Sequence, residues 1–236
     1  MDSVESTNKY CEVLDLAEVE DFTCYWALEQ TAGIGQRGNN WEAEPGKNLT
    51  FSIVLHPTFL PADRQFKLTE ALSLALVDFL SPFTLQLLPS IKWPNDIYVG
   101  IHKICGTLVS TRLQGSQIAS AVCGIGLNVN QVDFPDWVPN PTSLALLTGE
   151  KYELKPLLQK LLVCIEKRYN DLKSGLNPEP EYLMHLLNLG QHARYTYNEE
   201  EITATITGVD PHGRLLLTVD DGRRLSCGMK EISLLS

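Results

Sequence analysis

Positive charge is scarce: 19 Lys and Arg stand against 29 Asp and Glu, for a net charge of −10. A protein built on phosphate-backbone contacts has the opposite balance. Non-specific nucleic-acid binding is not expected, so nucleic acid is left out of the expected partners. Long apolar runs are missing too. No stretch approaches the ~20 apolar residues that cross a bilayer, and the opening MDSVESTNKY lacks a basic segment followed by an apolar one. The expectation is a soluble, cytoplasmic chain with no membrane partner. Paired cysteines are absent: Cys11, Cys24, Cys105, Cys123, Cys164 and Cys227 lie far apart with no CxxC, most of them in apolar runs such as KICGTLV. Reduced, buried thiols fit this better than disulfides or metal ligands. Internal repeats and low-complexity tracts are also lacking. Asn48-Leu49-Thr50 matches a glycosylation sequon, but without a secretory signal it reads as chance.

What is present suffices for a globular core, since 44% of the 236 residues are hydrophobic. The spacing of Tyr10, Val13, Leu14 and Ala17 predicts a helix over 6–18, with Ser6, Thr7 or Asn8 as cap. FTCYWALEQ (22–30) reads as a strand, and NLTFSIVL (48–55) as another. From Thr31 to Asn48, TAGIGQRGNNWEAEPGKN has four glycines in eighteen residues, too long for an idle connection. Pro61 opens a helix to about Phe79 that is apolar almost all round and therefore buried. From Leu87 to Val129 four β-rich segments form an antiparallel meander. Helical patterns return at 141–147, 156–172 and 178–189. After Gly190 short β-rich segments alternate with turns such as Asp221-Gly222, which places a domain boundary there: 1–190, then 191–236 as a small barrel-like unit.

Four segments stand out singly for their chemistry. Gly33-Ile34-Gly35-Gln36-Arg37-Gly38 scans as GxGxxG, but no helix follows as a dinucleotide site requires. Its glycines bring backbone N–H groups close to a phosphate, with Arg37 as fixed charge, unless it is only a flexible loop. Lys92-Trp93-Pro94-Asn95-Asp96 is an unusual turn between strands, where a charge pair meets a phosphate-bearing ligand. Taken alone, it also fits a surface turn with Trp93 packed inward. Lys103 enters an apolar strand, where a solvated lysine is the ordinary alternative. Gly124 and Gly126 sit inside the strand ending GIGLNVN, marking either a bulge or a close approach.

Taken together and in order, STN (6–8), QTAGIGQRGNNW (30–41), KWPND (92–96), KICGTL (103–108) and GIGLNVN (124–130) resemble biotin protein ligase, and the ending GMKEISLLS resembles that family's small C-terminal barrel. The resemblance spans nearly the whole chain. It implies an α+β fold with a mixed, largely antiparallel sheet, like a class II aminoacyl-tRNA synthetase, plus an SH3-like β-barrel. The implied activity has two steps: biotin and ATP give biotinyl-5'-AMP with Mg²⁺ as cofactor, and a lysine of a biotin carboxyl carrier domain displaces AMP. Biotin would be held by Ser6, Thr7, Asn8 and Gln30, by Gly33, Ile34, Gly35 and Gln36 of the loop, and by Lys103, Gly106 and Gly126. ATP would meet Arg37, Trp41, Lys92, Asn95, Asn128 and Lys103. Lys103, Asp96 and Arg37 would be catalytic, with Asp96 facing either the acceptor amine or the metal.

The loop departs from the family pattern. Where many relatives carry arginine, this chain has Ile34, Gln36 and Asn39, and only Arg37 remains. Five residues before Ser6 leave no room for the winged helix of repressor members, so a ligase without repressor function is expected. A lipoate or octanoate transferase of the same fold, and a non-catalytic binding relative, stay open as alternatives.

Overall fold

The computed structural model describes residues 1–84, 87–229 and 231–235, apart from the side chain of Arg37. The centre is a six-stranded sheet in the order β2 (Thr23–Ala27), β4 (Leu49–Leu55), β8 (Gln117–Leu127), β7 (His102–Gln114), β6 (Asp96–Val99) and β5 (Pro89–Lys92). Every neighbouring pair is antiparallel, so the expected meander is found. All seven residues of β4 are buried, which suits a strand covered on both faces. Leu49, Phe51, Ile53 and Leu55 join the main core with helices α2 (Phe66–Leu80) and α4 (Leu154–Lys173). Val54 points to the other face, where Cys11 of α1 (Thr7–Glu12), Leu16 and Val122 form a small second cluster.

Four helix expectations change. The 6–18 pattern splits into α1 and a 3-10 turn over Leu16–Glu18, because the Asp15 side chain accepts from Ala17 N and starts a new turn. The helix expected from Pro61 begins at Phe66, after a 3-10 turn. The 178–189 pattern stops at Met184 as α5 (Glu179–Met184). There, tertiary pairing overrides helical spacing: Ile91 N donates to His185 O and Leu187 N to Ile91 O, both at 2.8 Å. Helix α3 (Leu144–Thr148) is shorter than expected and is capped by Ser143, whose side chain accepts from Leu146 N.

The segment 185–190 then stitches on a second sheet, through Gly190 N to Ile206 O at 2.9 Å. That sheet runs β12 (Arg224–Cys227), β11 (Leu215–Val219), β10 (Glu200–Val209), β9 (His192–Tyr197), β13 (Ile232–Leu234). The expected barrel is not closed among the described residues: β12 and β13 remain edges of four and three residues. Tyr195, Ile206, Leu215 and Leu217 join the same core as α2 and β4, so one apolar cluster runs through both sheets. A short β1 (Ser3–Val4) pairs with β3 (Glu29–Gln30).

All six cysteines are free, four of them buried. Burial pushes the Cys11 thiol up to about 12 and Cys24 to about 11, so both stay protonated and inert. Asn48 is buried, its amide bonded to Gln131 and Val129 N, which leaves the sequon no acceptor side chain at the surface. No described helix is long and apolar enough to cross a membrane.

Candidate active site

Register builds the site. The pairs Thr50↔Gly126, Gly106↔Gly126, Asp96↔Gly106 and Lys92↔Asp96 form one row across five strands, and directly paired residues share a face. Lys103 lies an odd number of residues before Gly106, so a regular strand would turn it to the opposite face. The β-bulge between the Ile97↔Cys105 and Tyr98↔Lys103 pairs resets the alternation and brings Lys103 to the face of Asp96. Its backbone is pinned on the far side, with Lys103 N donating to Asn140 O at 2.7 Å and Thr142 N to Lys103 O at 2.9 Å.

The glycines of this row make room for side chains. A Cβ on Gly126 would overlap the Trp41 indole, and one on Gly124 would overlap the Asn8 carboxamide. Gly106 carries Trp41 at 3.3 Å and Asp96 Oδ1 at 3.1 Å from where its Cβ would stand. The loop that supplies Trp41 closes as a small hairpin: Gly35 N donates to Asn39 O at 2.7 Å and Trp41 N to Gly33 O at 2.9 Å. A single 3-10 turn, Gln36–Gly38, forms its tip, so the GxGxxG reading as a strand-to-helix phosphate turn does not apply.

At one end the cleft is polar and buried. Thr7 N and Oγ1 both donate to Gln30 Oε1, at 2.8 and 3.0 Å. Asn8 Nδ2 donates to Leu108 O at 3.3 Å, which turns Asn8 Oδ1 towards Ser52 Oγ at 2.5 Å. Ser52 also lies 2.7 Å from Thr7 Oγ1, so the two hydroxyl protons fill two of these three contacts at a time. Ser6 caps α1 in extended geometry with its hydroxyl uncommitted to the helix.

At the other end stand the charges. Lys103 Nζ lies 2.7 Å from Asp96 Oδ2 and 5.7 Å from the centre of the Trp41 ring. Lys92 Nζ lies 5.3 Å from the centre of the Tyr98 ring and 3.5 Å from its hydroxyl. Burial draws the Lys92 pKa down, with Asp96 opposing and Lys103 reinforcing the shift. Burial and the Asp96 charge push Tyr98 up to about 12. Between Lys92 and Asp96, Asn95 Nδ2 donates to Thr107 O. Of the four other buried polar atoms in this region without a partner, Trp41 Nε1, Thr107 Oγ1 and Tyr195 OH belong to cleft-lining residues, and Asn128 Oδ1 does not.

The cleft has a volume of about 350 Å³, within the usual range for a small-molecule site. It brings together Ser6, Thr7, Asn8 and Gln30, the loop residues Ile34, Gly35, Gln36 and Trp41, and Lys92, Asn95, Asp96, Lys103, Gly106 and Gly126. Gly33 stands behind it, packed on the Trp41 carbonyl. Asn128 lies outside the lining, buried with Nδ2 bonded to Thr142 O at 2.9 Å. The Arg37 side chain lies outside the described structure. Sequence reasoning missed Ser52, which backs the polar end, although hydroxyls at Thr50 and Ser52 inside a wholly buried strand were a usable signal. It also missed the C-terminal sheet's share of the lining, Tyr195, Ile206, Leu215 and Ile232 to Leu234, for which only long-range contact carries the information.

Asp96 is the one carboxylate among the described lining residues, and it is paired with Lys103. No group of three His, Cys, Asp or Glu that could cage a metal occurs among the described residues. One carboxylate suits a magnesium ion shared with substrate phosphates, not one caged by protein alone.

Comparison with known proteins gives the following. The profile described as "Biotin/lipoate A/B protein ligase family" matches residues 1–128, and "Biotin protein ligase C terminal domain" matches 189–232. The chain is 31% identical over 226 residues to the "Bifunctional ligase/repressor BirA" of Bacillus spizizenii, covering 94% of this chain and 69% of that one. It is 28% identical over 202 residues to the "Biotin--[acetyl-CoA-carboxylase] ligase" of Mycobacterium tuberculosis, covering 82% and 72%. The structure of a biotin protein ligase from Aquifex aeolicus in complex with biotin and ATP superposes with a TM-score of 0.80 at 27% identity, covering 100% of this chain and 97% of that one.

Proposed function

The chain belongs to the biotin/lipoate A/B protein ligase family, as one of its biotin protein ligases, and from that premise we propose how its cleft works. It is a biotin-[acetyl-CoA-carboxylase] ligase that activates biotin as biotinyl-5'-AMP and transfers it to a lysine of a biotin carboxyl carrier domain. The observation that carries the residue assignments is the shared face: Thr7, Asn8 and Gln30, backed by Ser52, and the Lys103–Asp96 pair line one cleft.

The polar cluster suits the ureido head of biotin, whose N–H groups and oxygen need small fixed partners in an otherwise apolar slot. Ser6 and Asn8 would face it, with Thr7 and Gln30 supporting them. The biotin carboxylate then lies towards Lys103. A carboxylate oxygen attacks the α-phosphorus of ATP, the bond to the β-phosphate oxygen breaks, and pyrophosphate leaves. Both reactants are anions, and Lys103 offsets their repulsion at the point of contact. Lys92 and Asn95 would hold the nucleotide, and Trp41 closes over the mixed anhydride, limiting its exposure to water. Magnesium is assigned to the triphosphate that carries it, not to a protein cage.

In the second step the carrier lysine amine attacks the acyl carbon, AMP leaves, and the amine loses a proton. Asp96 is the carboxylate in reach to orient the incoming ammonium and share that proton. We place the reaction in the cytoplasm, with biotin, ATP and a carrier domain as partners. The net charge of −10 supports a chain that does not depend on a polyanion. Residues 1–190 are read as the catalytic unit and 191–236 as its appended sheet.

Exchange of labelled pyrophosphate into ATP tests the first step. It should require biotin. Exchange supported by lipoate and not by biotin would overturn the reading.

A further inference from the structure

The three residues between Lys92 and Asp96 are each tied to a different part of the fold. Asn95 Nδ2 donates to Thr107 O on β7. The Pro94 carbonyl accepts from Tyr182 OH of α5 at 2.8 Å. The Trp93 indole N–H donates to Gly213 O of the C-terminal sheet at 3.0 Å.

Gly213 itself is fitted to this contact. Its φ of +83° favours glycine, and a Cβ there would overlap the Phe66 ring. Phe66 meets Tyr182 edge to face, centroids 5.8 Å apart, and Tyr182 returns to Pro94. The contacts close a ring, from Trp93 to Gly213, Phe66, Tyr182 and Pro94. The 210–214 turn that offers Gly213 O is itself fixed, because Asp210 Oδ1 accepts from His212 N and Arg214 N, both at 2.9 Å.

We infer that Trp93 is a positioning residue: through its bond to Gly213, the seating of the C-terminal sheet sets the turn that holds Lys92 and Asn95, and with it the affinity for the nucleotide. Lys92 and Asp96 are a direct cross-strand pair at the base of this turn, so a turn released on one side changes the direction in which Lys92 points. The polar end that takes the biotin head draws on Thr7, Asn8, Gln30 and Ser52, none of which touches the ring. Nucleotide binding should therefore respond to Trp93 while biotin binding should not. This inference rests on the assignment of Lys92 and Asn95 to the nucleotide.

The test is Trp93→Phe, which keeps an aromatic ring and deletes the N–H. In biotin-dependent pyrophosphate exchange, the KM for ATP should rise about tenfold, the size expected for one lost hydrogen bond, with the KM for biotin within twofold. Tyr182→Phe, which frees Pro94, should act in the same direction. Gly213→Ala probes the same joint from the other sheet, and Trp93→Phe added to it should cost less than it does alone, since the two share one contact. Lys92→Ala is the reference. If it raises the KM for ATP and Trp93→Phe does not, Trp93 is only a packing residue. A fall in kcat and Tm with the KM for ATP unchanged overturns the inference in the same way. If Lys92→Ala itself leaves the KM for ATP unchanged, the nucleotide assignment falls, and the inference with it.

Discussion

Lys103 Nζ and Asp96 Oδ2 stand 2.7 Å apart, with side chains 27% and 28% exposed at the mouth of the cleft. In the free protein each neutralises the other. On the roles proposed for them, two anions coming to Lys103, the biotin carboxylate and the α-phosphate, would draw the ammonium from its carboxylate partner and release Asp96 to meet the cation that arrives next. The acceptor lysine is that cation, since its amine is mostly protonated near neutral pH with a pKa of about 10.4 in water.

Asp96→Asn keeps the shape and removes the charge. It should lower transfer from preformed adenylate about 100-fold, the usual reach of a positioned acid or base, while pyrophosphate exchange stays within a few-fold of wild type. Single-turnover transfer and exchange measured on the same preparation separate the two. Equal losses in both would place Asp96 in the adenylation step.

Lys103→Ala should cripple exchange. Removing one preorganised donor at a developing charge costs about 3 to 4 kcal/mol, or roughly 100- to 1000-fold in rate. Near wild-type exchange would show that the bulge turning Lys103 to the Asp96 face has no catalytic consequence.

Gln36 lines the cleft at the tip of the loop hairpin, a neutral side chain where the family resemblance leads one to expect arginine. Gln36→Arg adds charge-assisted hydrogen bonding to the adenylate phosphate. Dissociation of preformed adenylate, followed by filter retention, should slow. An unchanged or faster rate would mean that another cation already does this.

Glu70 in α2 is 2% exposed, with Lys67 Nζ at 3.1 Å, and Lys67 is shared with Glu179 at 2.8 Å. Burial, opposed by Lys67, raises its pKa from 4.5 to about 7. The folded state therefore holds a proton that the unfolded state gives up from about pH 4.5, and stability falls as pH rises from there through 7. By linkage the loss reaches on the order of 3 kcal/mol by pH 8. Glu70→Gln should match wild type in thermal melts near pH 4.5 and exceed it at pH 8. Parallel pH profiles would show that Lys67 keeps Glu70 ionised throughout.

The sheet was legible because its strands are long apolar runs separated by turn residues, and the row of site residues because KWPND, Lys103 and GIGLNVN fall on consecutive strands of one meander. The bulge at Ile104 was not, since a one-residue shift leaves no mark in composition. The end of α5 is not legible because residues 185–189 carry helical spacing, while His185 and Leu187 give their backbone to Ile91, and Gly190 its N–H to Ile206. Gly124 and Gly126 read from sequence as either a bulge or the close approach of a ligand or backbone, and what approaches them is the side chains of Asn8 and Trp41. Asn128, given to the nucleotide by resemblance, stands outside the lining with its Nδ2 bonded to Thr142 O.

The most direct measurement is transfer itself: the protein with MgATP, biotin and a biotin carboxyl carrier domain, read by intact-mass and peptide mass spectrometry, with equimolar lipoate present as competitor. The account predicts one biotin on one carrier lysine, dependent on ATP and lost with Lys103→Ala. Lipoylation of that lysine in place of biotinylation, or no modification under conditions in which biotin and ATP both bind, would contradict it.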